Sequence, residues 1–327
     1  MSREICEGLG GRQVGLTVGV DVGGTKIAAG VVDDAGTILA TVRKVSPATD
    51  TEAIEGCIAD LVLELRQAHV VTAVGVGAAG FVDVTRSTVL FAPNLAWREE
   101  PLRAELEERI DLPVVIENDA NAAAWGEFRF GAGEDVDDLL LVTVGTGVGG
   151  GIVLDGRLHR GAFGVAGELG HFRVVPDGRV CGCGNRGCWE QYASGTALVR
   201  EARDQIAQGG REAQDLLDRA GGDVQQITGP LITEAAQAGD VFAVEQLAEL
   251  GRWLGGGIAS MAAVLDPAVV VIGGGVAAAG DLLLEPVRTH FRDNLTGIDH
   301  RPVLDIRPAR LGNKAGLIGA ADLARSH

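Results

Sequence analysis

Asp21-Val-Gly-Gly-Thr-Lys26 lies between two β-prone apolar runs, residues 16–20 and 27–32. A turn at Asp33-Asp-Ala-Gly36 and residues 37–43 extend the pattern, so two or three antiparallel strands joined by tight turns are expected. In the first turn the amides of Gly23 and Gly24 can point at phosphate oxygens, Thr25 can donate to one, and Lys26 can add charge. Asp21 can hold a magnesium ion through water. The turn is not a Walker loop, because GxxxxGK[ST] is absent and the glycines lie between strands. Taken alone it reads equally well as a plain glycine hairpin. The pattern returns further on: an apolar run at 139–144, then Gly145-Thr-Gly-Val-Gly-Gly-Gly151, then Ile152-Val-Leu-Asp-Gly156. Both copies run strand, Gly/Thr turn, strand, Asp-Gly turn. They read as an internal duplication in which Gly145, Thr146 and Gly147 form a second phosphate hairpin.

Duplicated hairpins joined by helix-rich connections are the layout of the actin-like (ribonuclease H-like) ATPases, with two α/β domains flanking a cleft and a polyphosphate clamped from both sides. The expected division is residues 1–117 plus 312–327 for a small N-terminal domain and 118–311 for a large one. Periodicity predicts a helix over 50–69, capped by Asp50 or Thr51, with Ile54, Ile58, Leu61 and Leu65 on one face. A strand at 70–76, a helix at 101–110 and a strand at 112–117 follow. Helices are expected at 194–208 and 211–220, broken by Gly209-Gly210, then at 231–238 and 240–265 after a polar connector. A strand at 268–272 ends in Gly273-Gly-Gly-Val276, a flat triple glycine that leaves room for an adenine or ribose and equally makes a tight strand-to-helix turn, the two being compatible. A strand at 303–306 and a small-residue helix at 313–324 close the chain.

The 327 residues suffice for two domains of ordinary size. Forty-nine glycines sit in short motifs rather than repeats, which argues for tight turns and close ligand approaches. A net charge of -17 disfavours nucleic acid and anionic membrane surfaces as partners. No signal peptide and no run of membrane-spanning length is evident. Residues 2–15 read as a short lead-in. Cys6 and Cys57 are isolated, whereas Cys181, Cys183 and Cys188 cluster, a usage that fits a reducing cytoplasm with one metal site.

That cluster follows Gly167-Glu-Leu-Gly-His171 and runs Cys181-Gly-Cys-Gly-Asn-Arg-Gly-Cys188-Trp-Glu190. Three thiolates and an imidazole make a closed tetrahedral zinc site from His171, Cys181, Cys183 and Cys188. A redox pair or ordinary buried thiols is the competing reading. Glu168 and Glu190 bracket the cluster without being favoured ligands, so the metal would pin a loop that grips a hydroxyl-rich molecule. A second acidic feature lies at the end of the 112–117 strand, where Glu117-Asn-Asp-Ala-Asn121 opens a helix. Ligands of open α/β sheets bind beyond the carboxyl ends of strands, so an acid there can serve as a base. Asn118 or Asp119 can equally do no more than cap the helix. Asn94, after Pro93, offers an amide to a ligand or simply makes an Asx turn.

Together these segments resemble the ROK family of bacterial sugar kinases and related repressors, and are most similar to its zinc-containing ATP-dependent glucokinases. The likeness runs from Asp21 to the last helix and rests on the motifs quoted above, with Pro93-Asn94-Leu95; Leu169 stands where the family more often has Ile. It implies ATP-dependent transfer to the 6-hydroxyl of glucose, with ATP, Mg2+ and structural Zn2+. It implies Asp119 as general base, and Asn118, Glu168, His171 and Glu190 as sugar contacts, with Gly80 and Asn94 lining the pocket. Gly23, Gly24, Thr25, Gly145, Thr146 and Gly147 would hold the phosphates, with Asp21 and Lys26 beside them, and Gly274 and Gly275 the nucleoside. A homodimer or homotetramer is implied. Another hexose or N-acylhexosamine as acceptor, and polyphosphate as donor, stay open. A DNA-binding regulator of the same family would need a helix-turn-helix, for which residues 1–15 are too few.

Overall fold

The computed structural model describes residues 15–209 and 213–326. The lead-in as far as residue 14, Cys6, and residues 210–212, where the break and the next helix are expected, lie outside them. In chain order the strands are β1 (Leu16–Val22), β2 (Lys26–Val32), β3 (Ile38–Val45), β4 (Val71–Ala78), β5 (Phe81–Val82), β6 (Val89–Phe91), β7 (Arg98–Glu100), β8 (Val114–Asn118), β9 (Leu139–Val144), β10 (Val148–Leu154), β11 (Arg157–Leu158), β12 (Val269–Gly273) and β13 (Asp305–Pro308). The helices are α1 (Thr51–Arg66), α2 (Leu102–Ile110), α3 (Asp119–Phe130), α4 (Glu190–Ala193), α5 (Gly195–Ala207), α6 (Gln214–Arg219), α7 (Gly229–Gln237), α8 (Val241–Leu265), α9 (Asp281–Asn294) and α10 (Ala315–Leu323).

Two sheets carry the architecture, ordered β3-β2-β1-β4-β8 and β11-β10-β9-β12-β13. Each has an antiparallel hairpin, β1/β2 or β9/β10, continued by two parallel strands. The duplication expected from the glycine turns is therefore repeated in the topology. Val18, Val20, Val74, Val76, Val114 and Ile116 form one core with the buried face of α1. Leu140, Val142, Val270 and Ile272 form another with α5, α7, α8 and α9.

The chain separates into two compact units: the described residues up to Gly131 with Leu158–Ala166 and those from Asn313, and then Ala132–Arg157 with Gly167–Gly312. The sequence division instead places α3 and residues 158–166 in the second domain. Two contacts explain the difference. Helix α3 packs on α10 so tightly that a Cβ on Gly319 would lie 1.7 Å from the Ala122 carbonyl oxygen. Arg160 ties residues 158–166 to Glu117 at the end of β8, 2.8 Å away.

Small residues let α10 reach the sheet itself. A Cβ on Gly75 of β4 would stand 1.8 Å from the Ala320 carbonyl oxygen, and one on Gly19 of β1 would stand 1.9 Å from that of Leu317. Backbone cannot yield as a flexible side chain can, so Gly75→Ala is expected to lower stability by about 1–3 kcal/mol or more. Urea denaturation reads this, and a midpoint equal to wild type would contradict the packing described.

Several boundaries differ from those expected, each for a visible reason. The second glycine turn is confined to residues 145–147. Gly149, Gly150 and Gly151 belong to β10 and pair with Thr143, Val142 and Leu141. Gly150 is bare because a side chain would meet Leu169, 2.4 Å from its Cβ position. Helix α7 starts at Gly229, before the expected 231, because Thr228 caps it and a proline is tolerated in the first turn. Helix α9 has no counterpart in the sequence reading; it carries Pro286 inside it and packs on α8 where Gly251 and Gly255 leave room. The strands β5, β6 and β7 form a small antiparallel sheet that was also not foreseen.

Glu55 on α1 is 3 % exposed and pairs with Arg109 of α2 at 3.1 Å. Burial, reinforced by Glu100, pushes its carboxyl up to about 7 despite Arg109. A carboxyl whose folded value is raised above the ordinary 4.5 contributes stability that is complete below that pH and is lost as pH rises through about 7. Wild-type stability is therefore expected to decline across that window and Glu55→Gln to flatten the decline. Thermal melts over the pH range check this, and equal slopes for both proteins would contradict it.

Candidate active site

The carboxyl ends of β1, β4 and β8 gather most of the residues expected in the first unit. Asp21, Gly77 and Glu117 stand in register across the three strands. Asp119 follows β8 directly as the first residue of α3. Two strand spacings, about 10 Å, separate β1 from β8. Gly316 at the start of α10 lies between the two acids: its Cβ position is 3.8 Å from the Asp119 carbonyl oxygen and 3.9 Å from Asp21 Oδ1. Burial pushes the Asp21 carboxyl above its ordinary value, with Lys26 opposing. It is Asn118, not Asp119, that caps α3: its side chain accepts from the Asn121 N–H at 3.0 Å, while Nδ2 donates to the Gly80 carbonyl at 3.0 Å. The cap is thus supplied without the Asp119 carboxylate.

Gly80 is pressed against the loop after β6, where a Cβ would stand 2.5 Å from the Phe91 carbonyl oxygen. Asn94 on that loop lies beside the first hairpin, its carbonyl oxygen 3.1 Å from the Gly24 Cβ position. Within the hairpin the Gly23 N–H donates to the Lys26 carbonyl at 3.0 Å and closes the turn. Gly23 therefore shapes the turn, and Gly24, Thr25 and Lys26 are exposed.

In the second unit the Gly145 N–H donates to the Gly147 carbonyl, and the Gly145 carbonyl accepts from the Gly195 N–H at the start of α5. Thr196 Oγ1 donates to the Thr146 carbonyl at 2.7 Å. The hairpin thus sits on a helix N-terminus, whose dipole favours an anion. A cavity of about 1130 Å³ opens beside it, lined by Gly145, Thr146, Thr196, Gly275 and Val276 among others. Gly275 faces open space. Gly274, at φ +87°, backs onto Val144, whose carbonyl oxygen would lie 2.4 Å from a Cβ, so glycine is required at this turn.

The cysteine loop is folded by its own backbone, with the Gly187 N–H donating to Arg179 and the Cys181 N–H to Asn185. The ligand atoms of His171, Cys181, Cys183 and Cys188 all lie within 4.8 Å of one another. Cys183 and Cys188 sulfurs are 3.6 Å apart, and Cys181 Sγ is 3.6 Å from His171 Nδ1. A tetrahedral zinc ion with about 2.3 Å bonds to sulfur needs sulfurs about 3.8 Å apart, so the four residues fit it. Burial and the adjacent thiols push Cys188 up to about 12. Three thiolates held this close would repel one another, a cost that a bound cation offsets.

Trp189 anchors this loop. Its ring is buried, its Nε1 donates to the Trp253 carbonyl at 2.8 Å, and a Cβ on Gly257 of α8 would stand 2.2 Å from the ring. The small-residue stretch of α8 thus admits both Trp189 and α9. The next residue, Glu190, accepts from the Val148 N–H at 3.1 Å, and a Cβ on Gly147 would lie 2.2 Å from its carboxylate. The acid of the metal loop therefore braces the second hairpin, a link that spacing could not reveal. Glu168 still has surface open to solvent, yet surrounding protein pushes its carboxyl above the ordinary value, His171 opposing and Glu190 adding to the rise.

Sequence reasoning missed the walls of the cavity. Arg203 of α5, bonded to the Gln225 and Ile227 carbonyls at 2.7 Å, and Thr233, Glu234 and Gln237 of α7 line it. No motif marks them, because helix packing alone brings them together. Glu117 was quoted within a motif but given no role, and Arg86 and Arg160, both paired with it, were not singled out.

Two matching sheets, each with a glycine hairpin beyond its strand ends, define an α/β protein of the actin-like ATPase fold. The chain belongs to the ROK family, which residues 17–327 match. It is 53 % identical over 312 residues to the glucokinase of Streptomyces coelicolor, covering 95 % of this chain and 98 % of that one. The crystal structure of a ROK family glucokinase from Streptomyces griseus in complex with glucose and AMPPNP aligns with a TM-score of 0.87 at 55 % identity, covering 96 % of this chain and all of that one (100 %). The ROK hexokinase from Thermus thermophilus aligns with a TM-score of 0.77 at 36 % identity, covering 94 % and 97 %. No helix among the described residues is long and apolar enough to cross a membrane.

Proposed function

We infer that this chain catalyses the ATP-dependent phosphorylation of glucose, with the 6-hydroxyl as acceptor. The observation that carries the reading is the likeness, over nearly all of both chains, to the Streptomyces griseus glucokinase solved with glucose and AMPPNP. Phosphoryl transfer asks for positioning and charge neutralisation more than covalent chemistry. Gly24, Thr25 and Lys26 on one hairpin, and Gly145, Thr146 and Gly147 on the other, bind the phosphates. The nucleoside lies against Gly275 and Val276 in the 1130 Å³ cavity. Asp119 Oδ accepts the proton of the sugar hydroxyl as the bond to phosphorus forms. Its place at a strand end, with the helix cap already made by Asn118, supports that role.

Asn118, Glu168, His171 and Glu190 hold sugar hydroxyls, with Gly80 and Asn94 along the pocket wall. The imidazole divides its two nitrogens: Nδ1 faces Cys181, which leaves Nε2 to carry a proton and donate to a hydroxyl oxygen. Zinc, when bound, fixes this loop and takes no part in transfer, since four protein ligands fill its coordination. Magnesium, when bound, would offset phosphate charge, and Asp21 is the residue to hold it through water. A homodimer or homotetramer in the cytoplasm completes the reading.

A coupled assay of ADP release tests it, run with glucose, mannose, fructose and N-acetylmannosamine, and with polyphosphate in place of ATP. Glucose with ATP is expected to give the highest kcat/KM. Absence of turnover, or a clear preference for another sugar or donor, would overturn it.

A further inference from the structure

Glu117 is 1 % exposed at the end of β8, immediately before Asn118 and Asp119. Its Oε1 accepts from Arg160 Nε at 3.1 Å, Asn121 Nδ2 at 3.1 Å and the Asn118 N–H at 3.0 Å, while Oε2 is held by charge, in ion pairs with Arg160 Nε at 2.8 Å and Arg86 Nε at 3.1 Å, rather than by aligned hydrogen bonds. Arg160 also donates from its two terminal nitrogens to the Val84 and Asp83 carbonyls, at 2.8 and 2.9 Å. Arg86 sits in the left-handed backbone region, φ 58°, which a residue with a large side chain adopts only when its surroundings enforce it. A buried ion triad of this kind is a poor source of stability, because apolar residues of similar volume usually serve as well. Its geometric consequence is specific. Two of its bonds, to the Asn118 amide and the Asn121 side chain, fasten both ends of the first turn of α3, and Asn118 is in turn tied to Gly80. The two guanidinium groups also offset the charge of a carboxylate that burial would otherwise disfavour.

We propose that Glu117, clamped by Arg160 and Arg86, is a positioning residue for phosphoryl transfer: without touching substrate, it fixes the helix turn that presents Asn118 and Asp119. The proposal rests on the kinase reading above. Glu117→Gln keeps the length and one acceptor oxygen but removes the charge that holds both arginines. A misplacement of the base by a fraction of an ångström to 1 Å is expected to lower kcat by about 10–100-fold while glucose Kd, measured calorimetrically without ATP, moves by less than about 5-fold. Amide hydrogen exchange across residues 119–122 is expected to quicken by at least about 10-fold.

Should Glu117→Gln fail to fold, Arg86→Asn decides: asparagine tolerates the left-handed backbone, and Glu117 keeps Arg160. A smaller fall in kcat, about 3–10-fold, with faster exchange in the same turn is expected of it. Wild-type kcat in the folded variants would overturn the proposal. So would a loss of kcat with exchange unchanged, or a lowered melting temperature with neither effect. Inactivity of the wild-type enzyme itself would defeat the kinase reading, and is recognised before any variant is compared.

Discussion

Asp119→Asn is expected to lower kcat for glucose phosphorylation by about 10²–10⁴-fold, the range a positioned general base contributes. Glucose Kd should stay within a few-fold of wild type. A sugar hydroxyl loses its proton only as the bond to phosphorus forms, so a missing base raises the barrier without weakening the complex that precedes it. The substitution leaves the cap of α3 in place. Asn118 already supplies the cap of α3, through its own side chain on the Asn121 amide, so the helix does not depend on the Asp119 carboxylate for that bond. Single-turnover kinetics with calorimetric sugar binding measure both quantities. A folded Asp119→Asn enzyme with rapid turnover would end its assignment as the base.

Cys183→Ser is expected to abolish stoichiometric zinc binding and to weaken glucose affinity by more than about 10-fold, while leaving a folded protein. Structural zinc in small domains supplies about 10–16 kcal/mol of apparent free energy to the segment it orders. Here the two ends of the loop are held differently. The Cys188 end is fixed by Trp189, buried against Gly257 and bonded to the Trp253 carbonyl, and needs no metal to stay in place. The His171 end follows an exposed Glu168 and relies on Leu169, packed over Gly150, and on the cluster itself. Metal loss should therefore release Glu168 and His171 more than Glu190. Zinc content by atomic absorption, with sugar binding by calorimetry, checks this. A zinc-free, folded variant with unchanged sugar affinity would contradict it.

The duplicated sheets were legible because a strand–glycine–strand pattern leaves a local trace twice, at Asp21-Val-Gly-Gly-Thr and at Gly145-Thr-Gly. The cysteine loop was legible because thiolates cluster in sequence as they do in space. What escaped depends on contacts distant in sequence. Glycines 149–151 look like turn residues, yet they are strand residues, and Gly150 is kept bare so that Leu169 can approach. Helix α9 carries a proline, which argues locally against a helix, and it exists because α8 offers a glycine-lined face. The walls of the cavity beside the second hairpin come from scattered residues of α5 and α7. Arg160 is 43 positions from Glu117, so no spacing rule connects them.

The most direct test is a crystal structure of the enzyme with glucose and a non-hydrolysable ATP analogue, read at one distance. The account predicts an Asp119 carboxylate oxygen within hydrogen-bond reach of the sugar O6, about 2.6–3.2 Å, with O6 aimed at the terminal phosphate. A sugar bound with O6 far from Asp119, or a carboxylate engaged only with amides of its own helix, would contradict it.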